Sequence, residues 1–374
     1  MKTNITMLRL GDYIQEVNER NSNREINLSQ GICNLKYFQD PKQVSETPHL
    51  DKIVRKGQFA YNRATTRNGE KISIALREGP DCTVSSAYCV FYITNENVID
   101  PHWLWLWFKR PEFDRYAIFK SHGSAHEFFE FETMCNVELP VPPIEEQRAI
   151  VERHKAIERK IETNRALIAS LEDTARTIYR HMFVDDIDSE NLPDGWHMGT
   201  LSEIGKIVGG ATPSTEKKEY WVESGIRWLS PIDLSKRKLV FTTTSFSCIT
   251  NEAYKSCSTK MLPKGTVLFS SRAPIGLLSV LDIEACTNQG FKSVIPNEDV
   301  SFPYIYFTLD SSKEKMNLEN TGSTFAEVSG KYMNEFCVLI PSKEAIDIFN
   351  SITIPIFDYI KVLEKEIVSI KELL

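Results

Sequence analysis

Few residues of this 374-residue chain are spaced for covalent, redox or metal chemistry. Its eight cysteines are Cys33, Cys82, Cys89, Cys135, Cys248, Cys257, Cys286 and Cys337, with no CxxC pair among them. A zinc tetrahedron needs closely spaced ligands, so these are expected to be reduced, mostly buried thiols, with no metal bound. The seven histidines form no HExxH pattern. A glycine pair opens the run Gly209-Gly210-Ala211-Thr212-Pro213-Ser214-Thr215. It lacks the lysine and spacing of a Walker loop and the glycine pattern of a dinucleotide fold. What remains is hydrogen-bonding chemistry. The clusters Asn62-Arg63-Ala64-Thr65-Thr66-Arg67-Asn68, Lys217-Lys218, Lys236-Arg237-Lys238 and Ser271-Arg272 carry the side chains that donate to base edges and phosphates. Thr212, Ser214 and the loops Gly123-Ser124 and Gly322-Ser323-Thr324 add hydroxyls and backbone amides. Solvated hairpins, exposed helix faces and plain turns account for the same residues equally well.

The charge balance limits what such clusters can do alone. The formal charge is −7, divided as −1 over residues 1–142, +1 over 143–183, −5 over 184–341 and −2 over 342–374. Contact with a polyanion must therefore come from local patches, and affinity must lean on a partner that neutralises more phosphates. Hydrophobic content of 41% and charged content of 25% are ordinary for a globular protein. The apolar run 103–108 is far too short to span a bilayer and no secretory leader is visible, so the expected location is cytoplasmic, without a membrane partner. Trp103, Trp105 and Trp107 read as core or interface rather than base-stacking platforms.

The elements that must position these clusters occur twice, in the same order. Leu10-Gly11-Asp12-Tyr13-Ile14 matches Ile204-Gly205-Lys206-Ile207. The glycine-led stretch 56–63 matches 264–272, which sets Tyr61-Asn62-Arg63-Ala64 against Ser270-Ser271-Arg272-Ala273. Residues 83–88 match 287–292, the Gly-Ser loops match each other, and the proline-terminated strands 137–142 and 336–341 close the globular parts. Short β-branched and aromatic runs broken by Gly, Pro, Asn and Asp, with few helices (100–109 is one), predict an α+β, largely strand domain.

A long helix follows each domain. Ile150, His154, Ile157, Ile161, Asn164, Ile168, Leu171, Ala175, Ile178 and Met182 are spaced by alternating steps of four and three, an a/d seam. Asn164 is expected to set register inside it. The second seam is Ile346, Phe349, Thr353, Ile356, Ile360, Leu363, Ile367, Ile370 and Leu374, with Pro355 expected to kink that helix or delay its start. The two seams most simply pair with each other, antiparallel if a pseudo-two-fold axis relates the repeats. A helix of 40 residues is about 60 Å long, a spacer longer than one turn of DNA. A coiled coil that only dimerises the chain gives the same periodicity. The expected division is a first domain at 1–142, a helix at 143–183, a second domain at 184–341 and a helix at 342–374.

Taken together, the motifs resemble the specificity subunits of type I restriction–modification systems. The glycine-threonine-proline loop, Tyr220-Trp221, Ile226-Arg227-Trp228-Leu229-Ser230-Pro231-Ile232-Asp233-Leu234, residues 268–276, Asn288-Gln289-Gly290-Phe291 and Gly322-Ser323-Thr324-Phe325 are similar to their target recognition domains. Pro142-Pro143-Ile144-Glu145-Glu146-Gln147-Arg148 is similar to the opener of their conserved helices. The first domain departs in lacking the glycine-threonine-proline loop, and the final helix opens Pro341-Ser342-Lys343-Glu344 instead. The resemblance implies two target recognition domains separated by an antiparallel coiled coil, reading a bipartite asymmetric site in double-stranded DNA. It implies two modification (methyltransferase) subunits that bring S-adenosylmethionine and flip an adenine, and restriction (motor-nuclease) subunits that use ATP and Mg. The chain itself is then non-catalytic and binds no cofactor, in keeping with the lack of an Asn/Asp-Pro-Pro-aromatic motif. A coiled-coil scaffold or a stand-alone methyltransferase or nuclease are the alternatives.

Overall fold

The computed structural model of the chain describes residues 5–41, 43, 47–64, 71–121, 128–272, 274–319 and 327–373. The chain divides into two compact units, Met1–Glu158 and Arg159–Leu374, and the division falls inside one continuous helix, Ile144–Phe183.

In the first unit, strand Thr6–Arg9 pairs antiparallel with Glu138–Val141, bringing the two ends of the domain together. A four-stranded sheet runs in the order Ile14–Val17, Tyr88–Ile93, Phe59–Asn62, Ile74–Leu76, all antiparallel. Alternation puts Phe59, Tyr61 and Phe91 on one face, where Phe59 stacks on Phe91 at 5.0 Å and Phe108 meets both edge-on. Phe108 ends the helix Pro101–Phe108, which begins where Asp100 accepts the amides of His102 and Trp103 and Pro101 fills the first turn. Trp103 is buried in this core and Trp105 and Trp107 are partly buried against it, as their types suggest. An ion pair lies beneath. Lys36 Nζ sits 2.7 Å from Asp114 Oδ1, both nearly sealed from solvent, and Asp114 also accepts the amide of Ile72.

The long helix is fastened to this unit by Gln147, which is fully buried. Its Oε1 accepts the amide of Asp100, and its Nε2 donates to the carbonyls of Val98 and Pro142, each at 2.8 Å. Val151 enters the core beside it, and Ile150, assigned to the helix seam, packs partly buried against that same core.

The second unit repeats the order with additions. His197–Thr200 pairs with Cys337–Ile340 as Thr6–Arg9 pairs with Glu138–Val141. A five-stranded sheet runs Gly205–Gly209, Lys292–Pro296, Val267–Phe269, Leu278–Leu281, Phe241–Thr242, its last strand parallel to its neighbour. A further four-stranded sheet runs Trp221–Val222, Ser247–Ile249, Ile226–Leu229, Cys286–Thr287. Gly57 and Gly265 occupy matching turns at φ +87° and +81°, a region that favours glycine. Register then equates Phe59–Tyr61 with Val267–Phe269, since each run pairs antiparallel with the following strand. Carried forward, Arg63 corresponds to Ser271 and Ala64 to Arg272. The expected match of Arg63 with Arg272 is thus one residue out. The stretch 264–272 is one residue longer than 56–63, so matching the two by both ends displaces Arg63 by one position.

Within this second unit the end of the long helix packs antiparallel on the C-terminal helix Lys343–Lys371. Asn164 Nδ2 donates to Glu366 Oε2 at 2.8 Å and Lys160 pairs with Glu366 at one end, while Phe183 meets Phe349 at 5.2 Å at the other. Ile161, Asn164, Ala175, Tyr179 and Phe183 are buried, and Ile168, Leu171 and Ile178 are partly buried. The seam therefore shifts from Ile178 and Met182 toward Tyr179 and Phe183. From Ile161, a helix of 3.6 residues per turn returns to the same face near residues 179 and 183, so a strict heptad lags by one. Ile157 is only half-buried. On the C-terminal helix Ile360, Leu363 and Ile367 are buried and Ile356 and Ile370 partly so, while Phe357 takes the inner position beside Ile356. The helix runs through Pro355 without delay, starting at Lys343 with Ser342 as its cap. Pro355 and Ser351 are exposed, so the carbonyl that proline deprives of a donor lies on the solvent face.

One carboxylate on this helix is buried: Glu364, 4% exposed, accepts the amides of Val240 at 2.6 Å and Phe241 at 2.9 Å. Burial pushes its carboxyl up to about 7 against the pull of the two amides. The folded state then holds this proton more tightly than the unfolded chain. Stability is full below the ordinary value of 4.5 and falls as pH rises through about 7. A loss of about 3 kcal/mol across that window is expected in denaturant unfolding, with the slope absent in Glu364→Gln. A flat wild-type profile would contradict it.

Candidate nucleic-acid interface

In the second unit four stretches that are far apart in sequence meet around Asn288-Gln289-Gly290. The amide of Ala211 donates to Thr287 O at 3.0 Å, and Gly210 lies so close to the Thr287 and Asn288 carbonyls that no side chain fits there. The amide of Asn288 donates to Leu229 O at 2.9 Å, and its Oδ1 accepts the amide of Gly290. Gly290 O in turn accepts the amide of Ser271 at 2.8 Å. Thr212 Oγ1 donates to Gln289 Oε1. The Trp228 indole donates to Ala211 O and the Trp221 indole to Ser214 O, so the two tryptophans, 4.9 Å apart and edge-on, brace the glycine loop from below.

Cations border this knot. Arg272 pairs with Glu327 at 3.0 Å and Lys292 with the same carboxylate at 3.4 Å. Burial alone would raise the Glu327 carboxyl; the two cations outweigh it and hold it below its usual range. On the helix Pro231–Arg237, Arg237 lies 4.4 Å and Lys236 5.6 Å from the Phe246 ring. Asp233 fixes that arrangement by accepting the amides of Ser230 and Phe246. The Arg237 Nε is buried without a partner among the described residues. Lys217 reaches the Tyr220 hydroxyl at 3.0 Å, and Lys218 is exposed beside it.

The candidates thus separate. Thr212 and Arg272 gather at the knot, Lys236 and Arg237 at Phe246, and Lys217 and Lys218 near Tyr220, with Ser214 exposed between. Ser271 is corrected: it is fully buried with an unpartnered hydroxyl among the described residues, because its backbone is paired on both sides, to Gly290 O and from Val328 N. Lys292 and Glu327 join the site without a motif of their own in the sequence; Lys292 directly follows the Asn288-Gln289-Gly290-Phe291 run. In the first unit Arg63 donates to Ala87 O and pairs with Glu130 at 3.3 Å, and Asn62 Oδ1 accepts the amide of Ala64. Thr65, Arg67, Gly123, Ser124, Ser323 and Thr324 lie outside the described residues. All eight cysteines are free, and four of them, Cys82, Cys89, Cys248 and Cys286, are buried. Among the described residues no helix is long and apolar enough to cross a membrane.

The family model of the type I restriction modification DNA specificity domain matches residues 24–173 and again residues 193–372. The chain belongs to this family. Each half of the repeat carries one copy of the specificity domain with most of its helix. A relative over part of its length is the type I restriction enzyme MjaIX specificity subunit of Methanocaldococcus jannaschii, 36% identical over 42% of this chain and 37% of that protein. The HindI specificity subunit of Haemophilus influenzae is 22% identical over 82% of each chain. The solved type I restriction–modification S subunit from M. genitalium shares the fold of this specificity subunit, with a TM-score of 0.60 at 17% identity over 100% of this chain and 94% of that one.

Proposed function

We propose that each unit reads one short element of a bipartite, asymmetric site in double-stranded DNA, and that the helices recruit two modification subunits and, with them, restriction subunits. The observation that carries this reading is the doubled match: two dissimilar copies of one specificity domain on a single chain give two different sets of contacts. In the second unit Thr212, Lys236, Arg237 and Arg272 are the side chains we assign to DNA, on elements held by the knot around Asn288. In the first, Asn62 and Arg63 have the same role. The net charge of −7 means that the modification subunits supply much of the phosphate neutralisation. The outer face of the C-terminal helix offers them an apolar stripe, Ile348, Ile352, Tyr359 and Val362, all exposed and spaced for one helix side. S-adenosylmethionine, ATP and Mg belong to those partners, and the chain is a non-catalytic part of the complex.

Exchange of residues 200–341 for the corresponding part of a relative is expected to change one half of the methylated site and leave the other intact. Methylation mapping checks this; a change in both halves, or in neither, contradicts modular reading. Labelled S-adenosylmethionine offered to the chain alone should give no transfer to DNA.

A further inference from the structure

The C-terminal helix does more in the second unit than cover an apolar face. Over little more than one turn it presents Lys361, Glu364 and Lys365 to the edge of the five-stranded sheet. Glu364 takes the consecutive amides of Val240 and Phe241, one on each carboxylate oxygen. Lys361 and Lys365 both reach Asp282, at 3.7 and 2.9 Å, where the neighbouring strand Leu278–Leu281 ends. The Asp282 amide donates to Thr242 O, which joins the two anchoring points, and Lys361 lies 4.9 Å from the Phe241 ring.

The captured strand is short and continuous with a candidate DNA-contacting element. Phe241–Thr242 follows the helix Pro231–Arg237 through Lys238, which closes that helix in the left-handed region at φ +51°. This segment is fixed at its start, because Leu229 O accepts the amide of Asn288, and in its middle, because Asp233 holds Ser230 and Phe246. Glu364 adds two main-chain hydrogen bonds from the C-terminal helix, which also touches the segment through Lys361 and Phe357 at the Phe241 ring. A carboxyl group that takes two amides resists both sliding and rotation of the strand, because moving it leaves two buried donors without a partner.

We infer that Glu364 is a positioning residue: its grip on Val240 and Phe241 ties the segment bearing Lys236 and Arg237 to the C-terminal helix, and so sets the spacer length at which the second element is read. The inference rests on the bipartite reading proposed above. Lys361, Lys365 and Asp282 keep Glu364 in place and share the load.

The test uses the full chain assembled with its modification subunits, and duplexes in which the two mapped elements stand at the native spacing, one base pair closer and one base pair further apart. The wild-type complex is expected to methylate the native spacing at least about tenfold faster than either altered one. In Glu364→Ala that ratio is expected to fall to about threefold or less, with faster hydrogen exchange at the Val240 and Phe241 amides. A uniform fall at all three spacings would reduce Glu364 to a structural role and overturn the inference. If Glu364→Ala does not fold, the double variant Lys361→Ala, Lys365→Ala decides: relaxed spacing selectivity supports the inference and unchanged selectivity overturns it. A wild-type complex indifferent to spacing would instead sink the bipartite reading itself.

Discussion

Alanine at Gly210 should abolish recognition by the second unit, while alanine at the adjacent Gly209 should be tolerated. A Cβ on Gly210 would fall well inside contact distance of the Thr287 and Asn288 carbonyls, and both are backbone atoms that no rotamer change can move. At Gly209 the nearest atom to a new Cβ is the Lys292 Cδ, at 3.9 Å. The carbonyls that would have to retreat are those that organise the knot: Thr287 O accepts the amide of Ala211, and Asn288 O accepts the amide of Phe291. Overpacking of this kind costs about 3 kcal/mol when the neighbours are rigid. Here the displacement also pulls Thr212 from Gln289 and shifts the strand Cys286–Thr287. Thermal unfolding should show the loss for Gly210→Ala only, and methylation mapping should show the second half-site lost. Equal effects at the two glycines would argue against this account.

The second large effect is expected in the first unit, at Lys36. Replacing it with methionine leaves Asp114 buried with, among the described residues, the Ile72 amide as its side-chain partner. Breaking a buried ion pair from one side costs about 3–5 kcal/mol, because a charge stays behind without its counter-ion. The pair also tethers a loop to two helices: the Lys36 ammonium donates to Phe108 O and its carbonyl accepts the Trp105 indole at 3.0 Å. Lys36→Met should lower the denaturant midpoint strongly. The double variant Lys36→Met, Asp114→Leu should recover part of the loss, since it removes the stranded charge. A Lys36→Met variant as stable as the parent would show that the pair contributes nothing.

The order of elements was legible in the sequence because turns, glycines and proline-ended strands punctuate both halves alike. Helix Pro101–Phe108 was marked by its aspartate cap and first-turn proline. The seam was legible in period but not in phase, since a seven-residue count cannot say where a straight helix drifts, and so Tyr179 and Phe183 were passed over for Ile178 and Met182. Sequence also shows a residue's type without its partner. Ser271 sits beside an arginine in a polar run, yet its main chain is paired on both sides, which turns it inward. Glu364 and Gln147 look like ordinary polar positions on a helix; only the fold reveals that each is enclosed. Lys36, on a short loop, gave no sign of Asp114, which lies 78 positions further along. The basic clusters proved to be three separate groups, because adjacency along the chain carries no information about which loop lies beside which.

Among the described residues, every hydrogen bond of the Gln147 side chain goes to main-chain atoms: the Asp100 amide and the carbonyls of Val98 and Pro142. A joint of that kind is indifferent to which side chains the domain displays. Mutation can rewrite the outer surface wholesale, and so acquire a new vocabulary of target bases, while the socket still accepts the same plug. In the first unit, interchangeability would then rest on the connection rather than on the parts.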